Sequence, residues 1–318
     1  MPTKLDKYTS TGIKFWLHPE KMQNYRDGNP RTIISTHISP EGACNLDCSY
    51  CSVHKRTQSE RLKLDDIKGY VQLLKGHGLK AVILTGGGEP TSYKHFNELV
   101  EFLHSEGLKI GLITNGTLAK RVKVWDLFSW VRVSLNIFDG WEEKISIPKL
   151  NCTVGCSYIH TGNKAEVERI SALATKLNAE YIRVLPDCRN VNLPMWHKEI
   201  DSIFDDRFMH QYKIHKTPKT SICHQSYFRP YLHESGYVFP CDSVVLNESP
   251  GMFLEKFRIC KWDEFDKYLK GEIKAKFDPR HDCHGCVFSD NVQLLDDWKT
   301  KGIEKFGTIK GIEHGDFV

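Results

Sequence analysis

Long hydrophobic runs are missing from this 318-residue chain. Ala81-Val82-Ile83-Leu84 is among the longest, far below the roughly 20 apolar residues that a membrane-spanning helix requires. Met1 to Tyr25 likewise holds no continuous apolar segment of the kind that directs export. A basic tract is also missing. The 44 Lys and Arg outnumber the 40 Asp and Glu only slightly, for a net charge of +4, and they are scattered, so the charge footprint of a nucleic-acid groove is not there. No internal repeat or low-complexity tract interrupts the chain, which excludes a solenoid. What remains is the composition of a globular protein, 40% hydrophobic and 26% charged, long enough for one large domain or two. Eleven cysteines without an export signal point to a reducing cytosol, where clustered thiols serve as metal ligands rather than disulfides.

Three of those cysteines, Cys44, Cys48 and Cys51, lie within eight residues in the spacing C-x3-C-x2-C. Thiolates suit zinc or an iron-sulfur cluster, and a four-iron cluster held by only three of them keeps one iron free for a reactant. On ligand type alone an incomplete zinc site fits as well. A second group follows. Cys223 and Cys241 bracket a hairpin signal at Ser235-Gly236 in the pattern C-x12-G-x4-C, and Cys283 and Cys286 form a C-x2-C flanked by His281 and His284. In isolation that C-x2-C reads as a zinc knuckle. Cys260 competes as a ligand for the same group. Cys152, Cys156 and Cys188 lie on or near predicted strands and read first as small packing residues.

Between residues 32 and 187 β-rich runs alternate with helical patterns, which predicts βα units and a parallel sheet of α/β class. Strands are expected at 32–38, 80–85, 109–114, 130–137, 150–158 and 180–185, with helices near 64–77, 93–106, 122–128, 140–145 and 164–177. Val167, Ile170, Leu173 and Ala174 form an apolar stripe on the last helix that should face the sheet. Six such units give a partial (β/α)6 TIM-type barrel. Around this core (32–187) the chain divides into an N-terminal extension (1–31), a linker (188–222), a small cysteine-bearing hairpin and helix domain (223–290), and a C-terminal helix and tail (291–318). Chemistry in β/α barrels sits in the loops after the strands. The Cys44 group falls after the first strand, and Gly86-Gly87-Gly88-Glu89-Pro90 after the second. That glycine-rich loop ends in Glu-Pro and lacks the P-loop pattern.

The cysteine spacing, with Tyr50 before the third cysteine, together with Gly87-Gly88-Glu89-Pro90, resembles the signature of the radical S-adenosylmethionine (SAM) superfamily. The resemblance implies that Cys44, Cys48 and Cys51 hold a 4Fe-4S cluster whose free iron binds SAM. It further implies that Gly87, Gly88 and Glu89 meet the SAM ammonium, that Tyr50 packs near the adenine, and that Ser134 and Asn136 face the SAM sugar. Alternate positions on a strand share a face, so Ser134 and Asn136 are placed together. The loop 114–117 is expected to line the same cavity. The later cysteines resemble the auxiliary-cluster region of SPASM and twitch radical SAM enzymes, with spacing similar to 2-deoxy-scyllo-inosamine dehydrogenase. Val292 stands where the full SPASM pattern has its next cysteine, and none follows Cys286, so the resemblance implies a single auxiliary 4Fe-4S cluster on Cys223, Cys241, Cys283 and Cys286. Four ligands saturate it, which suits electron transfer. The implied activity is SAM-dependent hydrogen abstraction and dehydrogenation of a small-molecule substrate, fed by an external donor such as flavodoxin or ferredoxin. No residue is assigned as catalytic base or hydrogen donor; in the epimerases of this family a cysteine fills the latter role, which keeps Cys152, Cys156 and Cys188 in view. Two alternatives stay open: a peptide-modifying maturase, for which the 31 residues before the first strand are short of a leader-binding domain, and a zinc-stabilised nucleic-acid-binding module.

Overall fold

In a computed structural model the described residues are 3–53, 56–135, 141–160, 164–186, 206–211, 216–246, 252–283, 286–302 and 312–318. They form one ten-stranded sheet. Its strands are β1 (Ser35–Ile38), β2 (Ala81–Leu84), β3 (Lys109–Thr114), β4 (Trp130–Ser134), β5 (Thr153–His160), β6 (Tyr181–Pro186), β7 (Phe208–His210), β8 (Tyr231–Leu232), β9 (Tyr237–Phe239) and β10 (Cys260–Lys261). The spatial order is β10-β9-β8-β1-β2-β3-β4-β5-β6-β7, and β1 to β7 run parallel. A parallel sheet covered on one side by helices and closed around its own lumen on the other is buried on both faces, which is why β1 and β2 are buried at every position.

The covering helices follow from their apolar periodicity. On α3 (Leu64–Gly76) the buried residues are Ile67, Tyr70, Val71 and Leu74, and on α4 (Phe96–Ser105) they are Phe96, Leu99, Val100 and Leu103. The helix Lys164–Lys176 buries Val167, Ile170, Leu173 and Ala174 against the sheet. No helix among the described residues is long and apolar enough to cross a membrane.

Three differences from the sequence reading have physical causes. The helix expected at 122–128 is instead a pair of 3-10 turns, Ala119–Arg121 and Trp125–Leu127. A seven-residue stretch with β-branched Val122 and Val124 cannot repay helix nucleation, and Val122 and Phe128 are buried from turns just as well. A seventh strand, β7, lies within the expected linker and pairs with β6, extending the six-unit barrel. Its three residues give too short a pattern to read. The cysteine-bearing hairpin is also not a sheet of its own, because β8 pairs in parallel with β1 through His37–Tyr231 and Ile38–Leu232. The expected strand at 150–158 runs from Thr153 to His160. Asn136, Cys188 and most of the expected linker lie outside the described residues.

The barrel floor is closed by both ends of the chain. Phe15, Met22 and Tyr25 pack with Leu295 of the helix Ser289–Lys301 and with Val318 in a satellite core. The Lys14 ammonium donates to the carbonyls of Lys7, His314 and Phe317, at 3.2, 3.3 and 3.3 Å. Phe317 meets Trp130 edge-on at 5.4 Å. Large floor aromatics need room beside them. In register with Tyr181 stands Gly155, and a Cβ at that position would lie 2.0 Å from the Tyr181 ring. Gly155→Ala is therefore expected to destabilise the chain by about 1–3 kcal/mol through overpacking, read from the midpoint and slope of a denaturant titration; unchanged stability would contradict this account of the floor.

Candidate functional site

The chain leaves β1 into a loop that returns on itself. Gly42 N–H donates to Glu60 O at 2.9 Å, Leu62 N–H to Pro40 O at 2.9 Å, and Glu41 bridges to Arg61. Cys44, Cys48 and Cys51 sit on the excursion between these ties, all partly buried. Arg56 fills its centre: Nε donates to Gly42 O at 2.9 Å, Nη1 to Val53 O at 3.1 Å and to Cys51 Sγ at 3.6 Å, and Nη2 to Leu46 O at 3.4 Å. Burial pushes the Cys44 and Cys48 thiols up, and the nearby Arg56 charge pulls in the opposite direction. Burial likewise pushes up the Tyr50 phenol, and the adjacent Cys48 thiol adds to the rise.

The loop after β2 docks edge-on against this excursion. Gly87 N–H donates to Ser39 Oγ at 2.8 Å, Gly88 N–H to Glu41 O at 3.1 Å and Glu89 N–H to Ala43 O at 2.9 Å. Only glycine permits that approach, since a Cβ on Gly88 would lie 1.8 Å from Ala43 O. A Cβ on Gly87 would lie 2.1 Å from Glu234 Oε1, on the hairpin beyond β8. Glu89 itself points inward, 3% exposed. Its Oε1 accepts from Thr91 N–H (3.1 Å), Thr91 Oγ1 (2.6 Å) and Thr114 Oγ1 (2.6 Å), and its Oε2 from Asn115 N–H (2.7 Å). Burial holds its pKa above the ordinary carboxylate value while these donors oppose the rise. Four donors occupy the lone pairs of one carboxylate, so Glu89 ties the β2 loop to the end of β3.

Asn45 adds the third link. Its Nδ2 donates to Thr117 Oγ1 at 2.7 Å, and its Oδ1 accepts from Asn115 Nδ2 at 3.0 Å. The loops after β1, β2 and β3 thus form one hydrogen-bonded rim, with the three cysteines on it. Ser134 ends β4 with its Oγ 3.5 Å from Ser157 Oγ on β5. Asn136 lies outside the described residues.

The second thiol group also comes together. Cys223, Cys241, Cys283 and Cys286 line one small cavity of about 20 Å³ with Pro240, Val244 and Phe277. Burial pushes Cys223 up to about 12 and Cys286 to about 11, and raises Cys241 and Cys283 as well. Cys260 is elsewhere, buried on β10 in the main core. Spacing bears on what the thiols can hold. Four thiolates on one zinc stand about 3.8 Å apart, given a Zn–S bond of about 2.3 Å. Among the described residues the one group of three or more metal-ligating atoms within 4.8 Å of one another is Glu60, His233 and Glu234, so neither thiol group is drawn in to the span of a single ion. Both donor sets are all sulfur, the ligand type of iron-sulfur clusters and of zinc.

Sequence reading passed over the polar residues inside the barrel. His37 on β1 accepts from Arg229 Nε at 3.1 Å and faces Asp242 Oδ2 at 3.3 Å, and Arg229 Nη2 reaches Asp242 Oδ1 at 3.1 Å. Burial, aided by the Arg229 charge, pushes His37 down to about 4, so the ring is neutral near pH 7. Arg132 and Arg183 face the same lumen from β4 and β6. The signal was available: a charged residue at an inward position of an otherwise apolar strand. Arg132 stands two residues before Ser134 and shares its face.

The rim geometry yields a test. Glu89→Ala removes the acceptor for four buried donors and is expected to cost at least ~2 kcal/mol of stability, with Glu89→Gln intermediate, in thermal or denaturant unfolding. An alanine variant as stable as the parent would sink the tie.

The sequence and fold were compared with known proteins. The chain is similar to an S-adenosylmethionine-dependent nucleotide dehydratase of Selenomonas ruminantium, 33% identical over 91 residues that make up 29% of this chain and 32% of that protein. It is also similar to a GTP 3',8-cyclase of Helicobacter pylori, 26% identical over 246 residues, covering 67% of this chain and 73% of the other. The match thus spans about a third of the length of the dehydratase. Among solved structures, native anSMEcpe with bound AdoMet and Cp18Cys peptide is similar at 17% identity and a TM-score of 0.50, covering 79% of this chain and 82% of that one. SuiB of Streptococcus suis bound to S-adenosylmethionine is similar at 14% identity and a TM-score of 0.50, covering 66% and 60%. These structural likenesses bear on the fold. The Radical SAM superfamily model matches residues 38–196, which hold the cysteine loop, the glycine loop and the strands β2 to β6 that carry the rim, and the chain belongs to the radical SAM superfamily.

Proposed function

We propose that the chain cleaves SAM reductively at a 4Fe-4S cluster held by Cys44, Cys48 and Cys51, and uses the resulting 5'-deoxyadenosyl radical to oxidise a small-molecule substrate. The observation that carries this reading is the rim itself: three thiols on a loop fastened to Gly88 and Glu89 at the carboxyl ends of a parallel barrel. A bound cluster would supply the electron for sulfonium cleavage. The protein's part is positional. Arg56 fixes the loop that presents the thiols, Gly87 and Gly88 bring backbone groups to the rim, and Ser134 faces the lumen beside Ser157.

The net reaction we favour is dehydrogenation. Loss of one hydrogen atom to the radical and one proton to a base leaves one electron on the substrate; Cys223, Cys241, Cys283 and Cys286 would hold an auxiliary 4Fe-4S cluster, which would supply the acceptor for that electron. A pocket lined by four thiols supports a saturated cluster suited to electron transfer. Flavodoxin or ferredoxin fits as the electron donor to the first cluster. A nucleotide substrate is the second reading. It is favoured by the names of two relatives, a nucleotide dehydratase and a GTP cyclase, and by the cations inside the barrel.

Anaerobic reconstitution is expected to give about eight irons per monomer, falling to about four in Cys283→Ala. The triple change of Cys44, Cys48 and Cys51 to Ala should abolish 5'-deoxyadenosine formation. Release of 5'-deoxyadenosine by that triple variant would remove the site assignment. Release stimulated by precursor peptides and by no small molecule would instead establish a peptide-modifying enzyme.

A further inference from the structure

The barrel lumen encloses a cavity of about 90 Å³, room for about three waters. Its wall is lopsided in charge. Lys7, Lys14, Arg132, Arg183 and Arg229 line it against one acidic residue, Asp242. Most of these cations are accounted for. Lys7 pairs with Glu313 at 2.6 Å, Lys14 with three carbonyls, and Arg132 with Tyr181 Oη at 3.1 Å and Tyr8 O at 3.0 Å. Two guanidiniums keep a nitrogen unanswered, Arg229 despite lying over the Phe288 ring at 4.6 Å. Arg183 makes no hydrogen bond or ion pair to any described residue, and its Nε is buried without a partner. Arg229 is 3% exposed, and although Nε and Nη2 are engaged, its Nη1 is buried without a partner.

Arg183 is half-buried with its Nε enclosed, and an enclosed guanidinium N–H without a partner carries a desolvation cost that Arg cannot escape by losing its proton as Lys can. Burial and the neighbouring Arg132 both work against its charge. Asp242 cannot neutralise the wall, since it already answers Arg229 and His37. Arg183 is also well placed relative to the rim. It pairs in register with Ser157, and Ser157 with Ser134, so Arg183 stands level with Ser134 and two strands away, roughly 10 Å.

From this geometry we propose that Arg183 and Arg229 form an anion subsite in the lumen that binds a phosphate or carboxylate group of the substrate. This deepens the proposed radical reaction and rests on it for the identity of the bound molecule as substrate. The acidic group enters the lumen, and the rest of the molecule extends toward the rim that carries the cysteines. A planar two-nitrogen fork suits both oxyanions.

The test uses the anaerobically reconstituted chain and follows binding by isothermal titration calorimetry with inorganic pyrophosphate, citrate and, as a neutral control, glucose. Saturable binding of pyrophosphate or citrate but not glucose is expected, weakened at least tenfold in R183Q and in R229Q. The anion that binds identifies a phosphoryl or a carboxylic substrate. R183K, which keeps the charge and loses the fork, should weaken binding about threefold, and it stands in for R183Q if that variant does not fold. SAM is titrated in parallel, with an expected change under twofold in R183Q. Equal anion affinity in parent and variants overturns the proposal, as does the absence of any anion binding. Loss of SAM affinity matching the loss of anion affinity also overturns it, because the anion served would be the SAM carboxylate. Parent chain that makes 5'-deoxyadenosine yet binds no anion refutes the subsite alone. Anion binding without any 5'-deoxyadenosine refutes the radical reaction alone.

Discussion

One buried carboxylate sets the geometry of the rim. Glu89 accepts four hydrogen bonds from Thr91, Thr114 and Asn115, while its own backbone N–H holds Ala43 at the entry to the cysteine loop. Loops on β/α barrels are free to vary because each is fastened to its strand ends alone. Here the loops after β1, β2 and β3 are fastened to one another, through Glu89 on one side and Asn45 on the other. A ligand set spread over eight residues of loop has no secondary structure of its own to hold it, so these ties, together with Arg56, supply its rigidity. Glycine at 88 follows from the same constraint, since the loops approach to backbone contact.

Much of this was legible before any coordinates, and the reasons are local. Parallel strands leave short apolar runs and their helices leave periodic stripes, so β1 to β6 and the helices α3 and α4 can be read from pattern. The cysteine spacing and the glycine loop are contiguous in sequence and announce themselves. What could not be read depends on partners far apart in the chain. Glu89 finds Thr114 and Asn115 some 25 residues on, and Arg229 finds His37 across 192 positions. β7 is three residues long, and the union of β8 with β1 is a matter of register that no periodicity records. A short aromatic, β-branched segment such as 122–128 has the apolar content of a helix without the length to repay its nucleation.

The lumen shows the opposite economy to the rim. At the rim Glu89 and Asn45 are answered from within the protein, whereas halfway down the barrel Arg183 Nε and Arg229 Nη1 are enclosed without a partner. Stability alone would have placed apolar residues there, as it does at Ile83 and Ile113 on the same wall. Cationic donors enclosed without a partner around a cavity mark where the fold is adapted to something other than itself.

The four later thiols make the complementary point about metal and fold. Their pocket is walled by proline, valine and phenylalanine, and burial raises all four thiols well above the range in which thiolate forms freely. As neutral thiols they pack like small apolar side chains, so this corner of the core is satisfied without a charge being buried. Any group that binds there must take them as thiolates and release their protons, and must itself carry enough positive charge to offset four anions in an apolar wall. A pocket of four sulfurs is the donor chemistry of a soft metal centre, which spreads that charge through its metal–sulfur bonds. The hairpin strand β8 carries the consequence to the barrel: it joins β1 directly, so the element bearing Cys241 and the strand leading into the Cys44 loop belong to one hydrogen-bonded sheet.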